Sequence, residues 1–206
     1  MTGIGKVVSV NIGSPRTVKV RGRLRATGIF KEPAAGRISV RVTGVGSDVQ
    51  MDTKHHGGPY KAVYVYASED YGWWSAELGV DLSSGTFGEN LTTSGVDVSA
   101  ALIGERWRAG TAVVEVTDPR IPCSTLGARM GVKGFVKTFA RAERFGAYCR
   151  VVTEGDVATG DPVVLVHRPD HGVSIVDVAR SYYAKDPART EAIYVAAGRP
   201  EHFAGR

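Results

Sequence analysis

Apolar side chains recur at every second residue through Arg37-Ile38-Ser39-Val40-Arg41-Val42, which turns Ile38, Val40 and Val42 to one face and the arginines to the other. Val18-Lys19-Val20-Arg21 repeats the pattern. β-Branched runs over 4–10, 18–24, 37–42, 62–66, 111–117, 148–152 and 162–167 predict strands, and the 26 glycines supply turns between them. Helices do not alternate regularly with these strands, which argues against a doubly wound sheet. The pattern predicts a mainly β, α+β fold: a bent, barrel-like sheet of antiparallel or mixed strands.

Two helical stretches interrupt that body. Ser68-Glu69-Asp70 places a capping hydroxyl and two acids where a helix dipole is positive, and Gly79 is suited to end the helix in a left-handed conformation. Trp73 and Trp74 fall inside it and read as rim and core aromatics. From Val132, the residues Phe135, Val136, Phe139 and Ala142 follow helical spacing, and Gly146 stops the run.

The tail changes character after residue 168. Ser174-Ile175-Val176-Asp177 reads as a capping box with Asp in the usual Glu position, and Ile175, Val178, Ala179 and Tyr182 make one apolar face. Asp186-Pro187 restarts a helix that Gly198 ends. The expected division is a β-rich body over 1–168 and a helical appendage over 169–206.

Composition narrows the class. A chain of 206 residues, 43% hydrophobic and 23% charged, has the make-up of an ordinary folded domain. Its charge of +5 suits an anionic ligand, yet with acids interleaved it forms no obvious nucleic-acid stripe. Cys123 and Cys149 cannot build a disulfide framework, and no run approaches the ~20 apolar residues of a membrane span. The N-terminus shows no leader pattern, so the expectation is a cytoplasmic protein with reduced thiols.

Three segments could carry chemistry. In Pro119-Arg120-Ile121-Pro122-Cys123 the prolines stiffen an extended exit from a strand, holding a guanidinium three residues from a thiol. A nearby cation favours the thiolate, the form that acts as nucleophile or soft-metal ligand; the plainer reading is a small buried cysteine beside a surface arginine. Lys54-His55-His56-Gly57-Gly58-Pro59-Tyr60-Lys61 combines cations with paired glycines that let backbone N–H groups approach an oxyanion, or else is only a glycine turn. In Gly85-Thr86-Phe87-Gly88-Glu89-Asn90-Leu91 the Asn90 amide could meet a heterocycle or merely make a turn. Along Tyr148-Cys149-Arg150, Cys149 takes the face opposite Tyr148 and Arg150 and reads as packing. Phosphate-loop, dinucleotide, serine-elbow and paired-cysteine zinc signatures are all missing.

Taken in order, these segments resemble the MOSC family, named for the C-terminal domain of molybdenum cofactor sulfurases. The resemblance rests on Gly46-Ser47-Asp48-Val49-Gln50-Met51-Asp52 leading into His56-Gly57-Gly58, on Lys61-Ala62-Val63-Tyr64-Val65-Tyr66, and on Phe87-Gly88-Glu89-Asn90-Leu91. It continues through Pro119–Cys123 and Tyr148–Val152 to Gly160-Asp161-Pro162-Val163, and so spans nearly all of residues 5–168. The tail, with Thr27-Gly28-Ile29-Phe30-Lys31-Glu32-Pro33, is similar to a stand-alone bacterial branch linked to 6-N-hydroxylaminopurine resistance, whose appendage has three helices. Ser47, Met51 and Tyr60 depart from the residues common at those positions.

The resemblance implies a β-barrel body binding the pyranopterin molybdenum cofactor, with Cys123 as the protein ligand to molybdenum. Lys31, Lys61, Arg120 and Arg150 would serve its anionic groups, His56, Gly57 and Gly58 would line the anion, and Asn90 would contact the pterin edge. The implied activity is reduction of N-hydroxylated compounds to amines, with His56 as proton donor and a separate NAD(P)H-dependent flavoprotein reductase as electron source. An alternative makes Cys123 a persulfide sulfur carrier; a weaker one is an anion- or nucleic-acid-binding barrel. The tail holds no motif residue and is a candidate to cover the pocket or to form a homodimer.

Overall fold

A computed structural model describes residues 3–53 and 56–199. A long first strand, β1 (Gly3–Gly13), leads into β2 (Arg16–Val20), β3 (Arg23–Thr27), β4 (Lys31–Pro33), β5 (Arg37–Arg41) and β6 (Gly44–Val45). β7 (Val63–Ala67) runs straight into α1 (Ser68–Leu78), followed by β8 (Leu91–Ser94), β9 (Arg106–Ala109) and β10 (Ala112–Pro119). Helices α2 (Ser124–Met130) and α3 (Phe135–Ala142) precede β11 (Ala147–Thr153), β12 (Gly155–Ala158) and β13 (Pro162–His167), and α4 (Ile175–Tyr183) and α5 (Pro187–Ala196) complete the described tail.

Seven strands close into a barrel in the order β13-β9-β10-β11-β7-β8-β1, with β1 pairing back onto β13. Only β7 and β8 run parallel within it, so the barrel is mixed. Closure leaves no open edge to template aggregation. β5, β6 and β12 form a small separate sheet.

The two-residue period of β7 shows how the chain builds two cores at once. Val63 and Val65 point into the barrel beside Val114, Val116 and Cys149. Tyr64 and Tyr66 point outward, into a second core with Trp74, Phe87, Phe135 and Phe139 from α1, α3 and the intervening loop. Trp74 stacks on Phe139 with centroids 5.5 Å apart and donates its indole N–H to the Tyr66 hydroxyl at 2.8 Å. Trp73, the next residue, lies at the rim.

Several boundaries differ from the sequence reading. The 18–24 run is two strands, because Arg21 and Gly22 both take positive φ (48° and 81°) and turn the chain back. Alternation continues across that turn, so the pattern alone hides it. Ala67, not Ser68, occupies the N-cap of α1, while Gly79 ends it in the left-handed conformation as expected. α3 stops earlier than expected, at Ala142, with Glu143 left-handed. Gly146 has another duty: a Cβ there would come within 2.6 Å of the Tyr66 ring and the Val65 carbonyl.

The tail packs closely. Its capping box at Ser174 and Asp177 forms as read. Ile175 and Val178 of α4, with Tyr194 of α5 and Ala197, belong to the same apolar core as the barrel interior. Tyr182 is exposed instead, and Ser181 is buried between the two helices. Among the described residues the tail has two helices, α4 and α5, where the resemblance implies three.

Candidate functional site

A cleft opens where β10 leaves the barrel toward α2. Lys31, His56, Lys61, Asn90, Arg120 and Cys123, drawn from four separate stretches of sequence, all line it. Lys54 and His55 lie outside the described residues.

Cys123 is the chemical centre. Pro122 brings the chain into α2 with Cys123 in extended geometry at the N-cap. Burial alone would push its thiol up. A hydrogen bond from His56, the charge of Arg120 and the backbone N–H of Leu126 outweigh that and hold it down at about 5. The thiolate is therefore the resident form at neutral pH. Arg120 is itself buried, with Nη2 3.8 Å from the sulfur and Nη1 donating to the Ile121 carbonyl at 3.2 Å. Cys149 is the opposite case: burial inside the barrel, with the charges of Glu115 and Glu105 adding to it, drives its thiol far up.

His56 is steered from behind. Its Nδ1 lies 3.1 Å from the Tyr148 hydroxyl, which burial keeps protonated. With that hydroxyl donating to Nδ1, the proton of a neutral ring sits on Nε2. Lys61 stands 5.7 Å from the centroid of the Tyr148 ring and 3.6 Å from the Asp118 carboxylate. The other oxygen of Asp118 accepts from the Tyr194 hydroxyl at 2.5 Å, which ties α5 to the cleft. Thr117 donates to the Tyr60 carbonyl at 2.5 Å and fastens the turn that carries Lys61.

Other residues named from sequence serve in different ways. Lys31 is buried in an ion pair with Asp48, and burial leaves its ammonium more acidic than usual despite that partner. Asn90 accepts from the Tyr64 N–H at 3.1 Å and donates to Asp48 at 2.9 Å, so its amide fastens the wall of the cleft. Gly57 and Gly58 sit behind the lining. A Cβ on Gly57 would strike the Gln50 amide oxygen at 2.5 Å, and that oxygen accepts from the Gly58 N–H. The glycines thus admit Gln50, which itself faces the cleft.

Arg150 does not join the cleft. Its Nε donates to Glu115 at 2.8 Å on the outer face of the barrel, where Arg106 and Arg199 bind the same buried carboxylate. The expectation that Arg150 faces the anion is corrected: its partner comes from the neighbouring strand β10. Sequence reasoning also missed Asp48, Gln50 and Tyr148 as site residues. Each stands inside a quoted motif, but only the fold reveals what it touches.

The thiol geometry sets an expected result. Iodoacetamide should modify Cys123 with a rate that plateaus above about pH 6, one unit above its pKa, and leave Cys149 unlabelled in folded protein. His56→Gln should move that profile upward, read by mass spectrometry of the Cys123 peptide across pH. An unmoved profile would show that His56 does not hold the thiolate.

A seven-strand mixed barrel with a cationic cleft around one thiolate defines the class, and comparison with known proteins gives the family. The chain belongs to the MOSC domain family, whose sequence model matches residues 52–164. YflK of Bacillus subtilis is 38% identical over 177 residues, covering 86% of this chain and 80% of that protein. A Gibberella moniliformis protein named reductase is 30% identical over 186 residues, although the chain spans only 33% of its length. The crystal structure of YiiM from Geobacillus stearothermophilus superposes with a TM-score of 0.76 at 32% identity, covering 97% of each chain. Among the described residues no helix is long and apolar enough to cross a membrane.

Proposed function

We propose that this protein binds the molybdenum cofactor through Cys123 and reduces N-hydroxylated compounds, such as 6-N-hydroxylaminopurine, to amines. The observation that carries the reading is the Cys123 thiol, held at about 5 in a cleft lined by Arg120, Lys61 and His56. The donor set fits. A thiolate suits a thiophilic metal such as molybdenum, and the cations suit the phosphate and oxo groups. Among the described residues no three His, Cys, Asp or Glu side chains gather as a metal site, so Cys123 would be the lone protein ligand of a metal that brings its other ligands with it. The kinship with a protein named reductase supports the direction of the chemistry.

When bound, the cofactor supplies the two-electron oxygen-atom chemistry at its metal. The balance is R–NHOH + 2 e⁻ + 2 H⁺ → R–NH₂ + H₂O. The chain's own work is binding, orientation and proton supply. Arg120 and Lys61 hold anionic groups, with Lys31 contributing from its pair with Asp48. His56, braced by Tyr148, presents a ring proton next to the thiolate and can deliver it to a leaving hydroxyl. No flavin or nicotinamide fingerprint occurs in the sequence, so the electrons come from a separate NAD(P)H-dependent flavoprotein reductase.

The test is chromatographic. Protein purified from a cofactor-producing host and supplied with a reduced viologen dye should convert 6-N-hydroxylaminopurine to adenine. Stoichiometric molybdenum with no adenine would overturn the substrate, and no molybdenum uptake at all would overturn the reading.

A further inference from the structure

The chain's excess positive charge has an address. Residues 16–25 contain Arg16, Lys19, Arg21, Arg23 and Arg25 and no acid, so the other 196 residues carry as many acids as bases. The whole surplus of +5 lies on the β2–β3 hairpin. Arg16 is paired with Glu32. Lys19, Arg21, Arg23 and Arg25 are exposed and have no carboxylate partner among the described residues. Uncompensated like charges repel one another across a two-stranded ribbon, so the arrangement costs stability.

The hairpin also carries an apolar contact. Leu24 is 75% exposed, the most of any large apolar side chain described, and it pairs across the ribbon with Lys19. A five-residue strand at ~3.3 Å per residue spans ~16 Å, too long for one phosphate group but suited to a protein surface. Residues 16–27 include no aromatic side chain on which a base could stack. Lys19 and Leu24 share one face of the ribbon and Arg23 and Arg25 the other, so the exposed apolar side chain is flanked by cations along a two-sided ribbon, and arginine beside an apolar contact is the composition of a protein interface. The base of the hairpin reaches the site, since Ala26, Thr27 and Gly28 line the Cys123 cleft. A Cβ on Gly28 would meet the Val49 carbonyl at 2.1 Å, which anchors that end closely.

We infer that the β2–β3 hairpin is the docking surface for an acidic electron-donor flavoprotein, which clasps the ribbon through Lys19 and Leu24 on one face and Arg23 and Arg25 on the other and delivers electrons to the adjacent cleft. The inference rests on the proposed reductase reading, which requires two electrons from outside the chain. Complementary charge steers such an encounter and makes it salt-dependent.

The experiment uses purified holoprotein and a flavodoxin as the acidic probe. Binding is measured by calorimetry at two ionic strengths, and turnover is driven separately by reduced flavodoxin and by a viologen dye. The variant is Lys19→Glu/Arg23→Glu/Arg25→Glu, whose positions are exposed and outside the cleft lining. The expected result is at least tenfold weaker flavodoxin binding in the variant, loss of the salt dependence, and dye-driven turnover within twofold of wild type. Equal binding by both proteins, or no binding by the wild type at low salt, would overturn the docking surface. So would a preference of the hairpin for a 20-mer DNA over flavodoxin. Hairpin-dependent flavodoxin binding without dye-driven turnover supports the surface and removes the reductase reading; dye-driven turnover without flavodoxin binding does the reverse.

Discussion

Cys123→Ser is expected to lose more than about a hundredfold in turnover, because changes one shell further out already cost about 10–100-fold at metal sites. A serine hydroxyl is neutral at neutral pH and a poor ligand for a soft metal. The substitution also removes the anion that Arg120 faces, leaving a buried guanidinium beside a neutral group. Fold and loss of function can be separated by circular dichroism, since Cys123 is only partly buried and caps a seven-residue helix without a side-chain hydrogen bond. A Cys123→Ser protein with wild-type turnover would show that the thiolate holds nothing the reaction needs.

Glu115→Gln should produce the largest loss of stability. The carboxylate is fully buried and meets Arg150 through one oxygen, and Arg106 and Arg199 through the other. A neutral amide leaves three guanidiniums facing one another. Unpairing a buried charge costs about 3–5 kcal/mol, and the partial exposure of these arginines points to the lower end. At about 2–4 °C per kcal/mol for a chain of this size, the midpoint should fall by roughly 6–12 °C.

The pH dependence follows from the same carboxylate. Burial works to raise it, but the arginines win and hold it below the usual carboxylate range. Its stabilising effect is therefore complete above the unfolded value of about 4.3 and is lost as pH falls through the lower folded value. Thermal melts of wild type and Glu115→Gln should differ fully at pH 7 and converge in acid. A constant difference across pH would place the effect in packing instead.

How far the sequence reads depends on the range of each contact. Strand alternation is local, and strands form at Arg37–Arg41 and Val63–Ala67, close to the ranges read, although Val42, expected to face inward, lies past the strand end and is exposed. Cys149 faces the barrel interior because the period of two fixes it. The stiffness of Pro119–Cys123 is local as well, and it presents the thiol to the cleft. Closure of the barrel is not local. β13 returns to β1 across the whole body, and no residue pattern states that pairing.

The site divides in the same way. Lys31, His56, Lys61, Arg120 and Cys123 all sit in motifs that the sequence displays, and the fold brings them to one cleft. Arg150 has the same kind of side chain, but Glu115 on the neighbouring strand claims it. Asn90 lines the cleft and also braces Asp48, 42 residues away, while Gly57 and Gly58 sit behind the lining, where Gly58 braces Gln50, 8 residues away. Charge surplus is the reverse case. It reads as a mild +5 spread over the chain, until the turn at Arg21-Gly22 folds five cations into one ribbon.

Whether Cys123 holds molybdenum in this cleft is decided by metal analysis. Wild type and Cys123→Ser, produced side by side in a cofactor-proficient host, should be compared for molybdenum per chain by mass spectrometry. The expected result is close to one molybdenum per wild-type chain and a small fraction of that in the variant. Equal molybdenum in the two proteins, both folded, would contradict it.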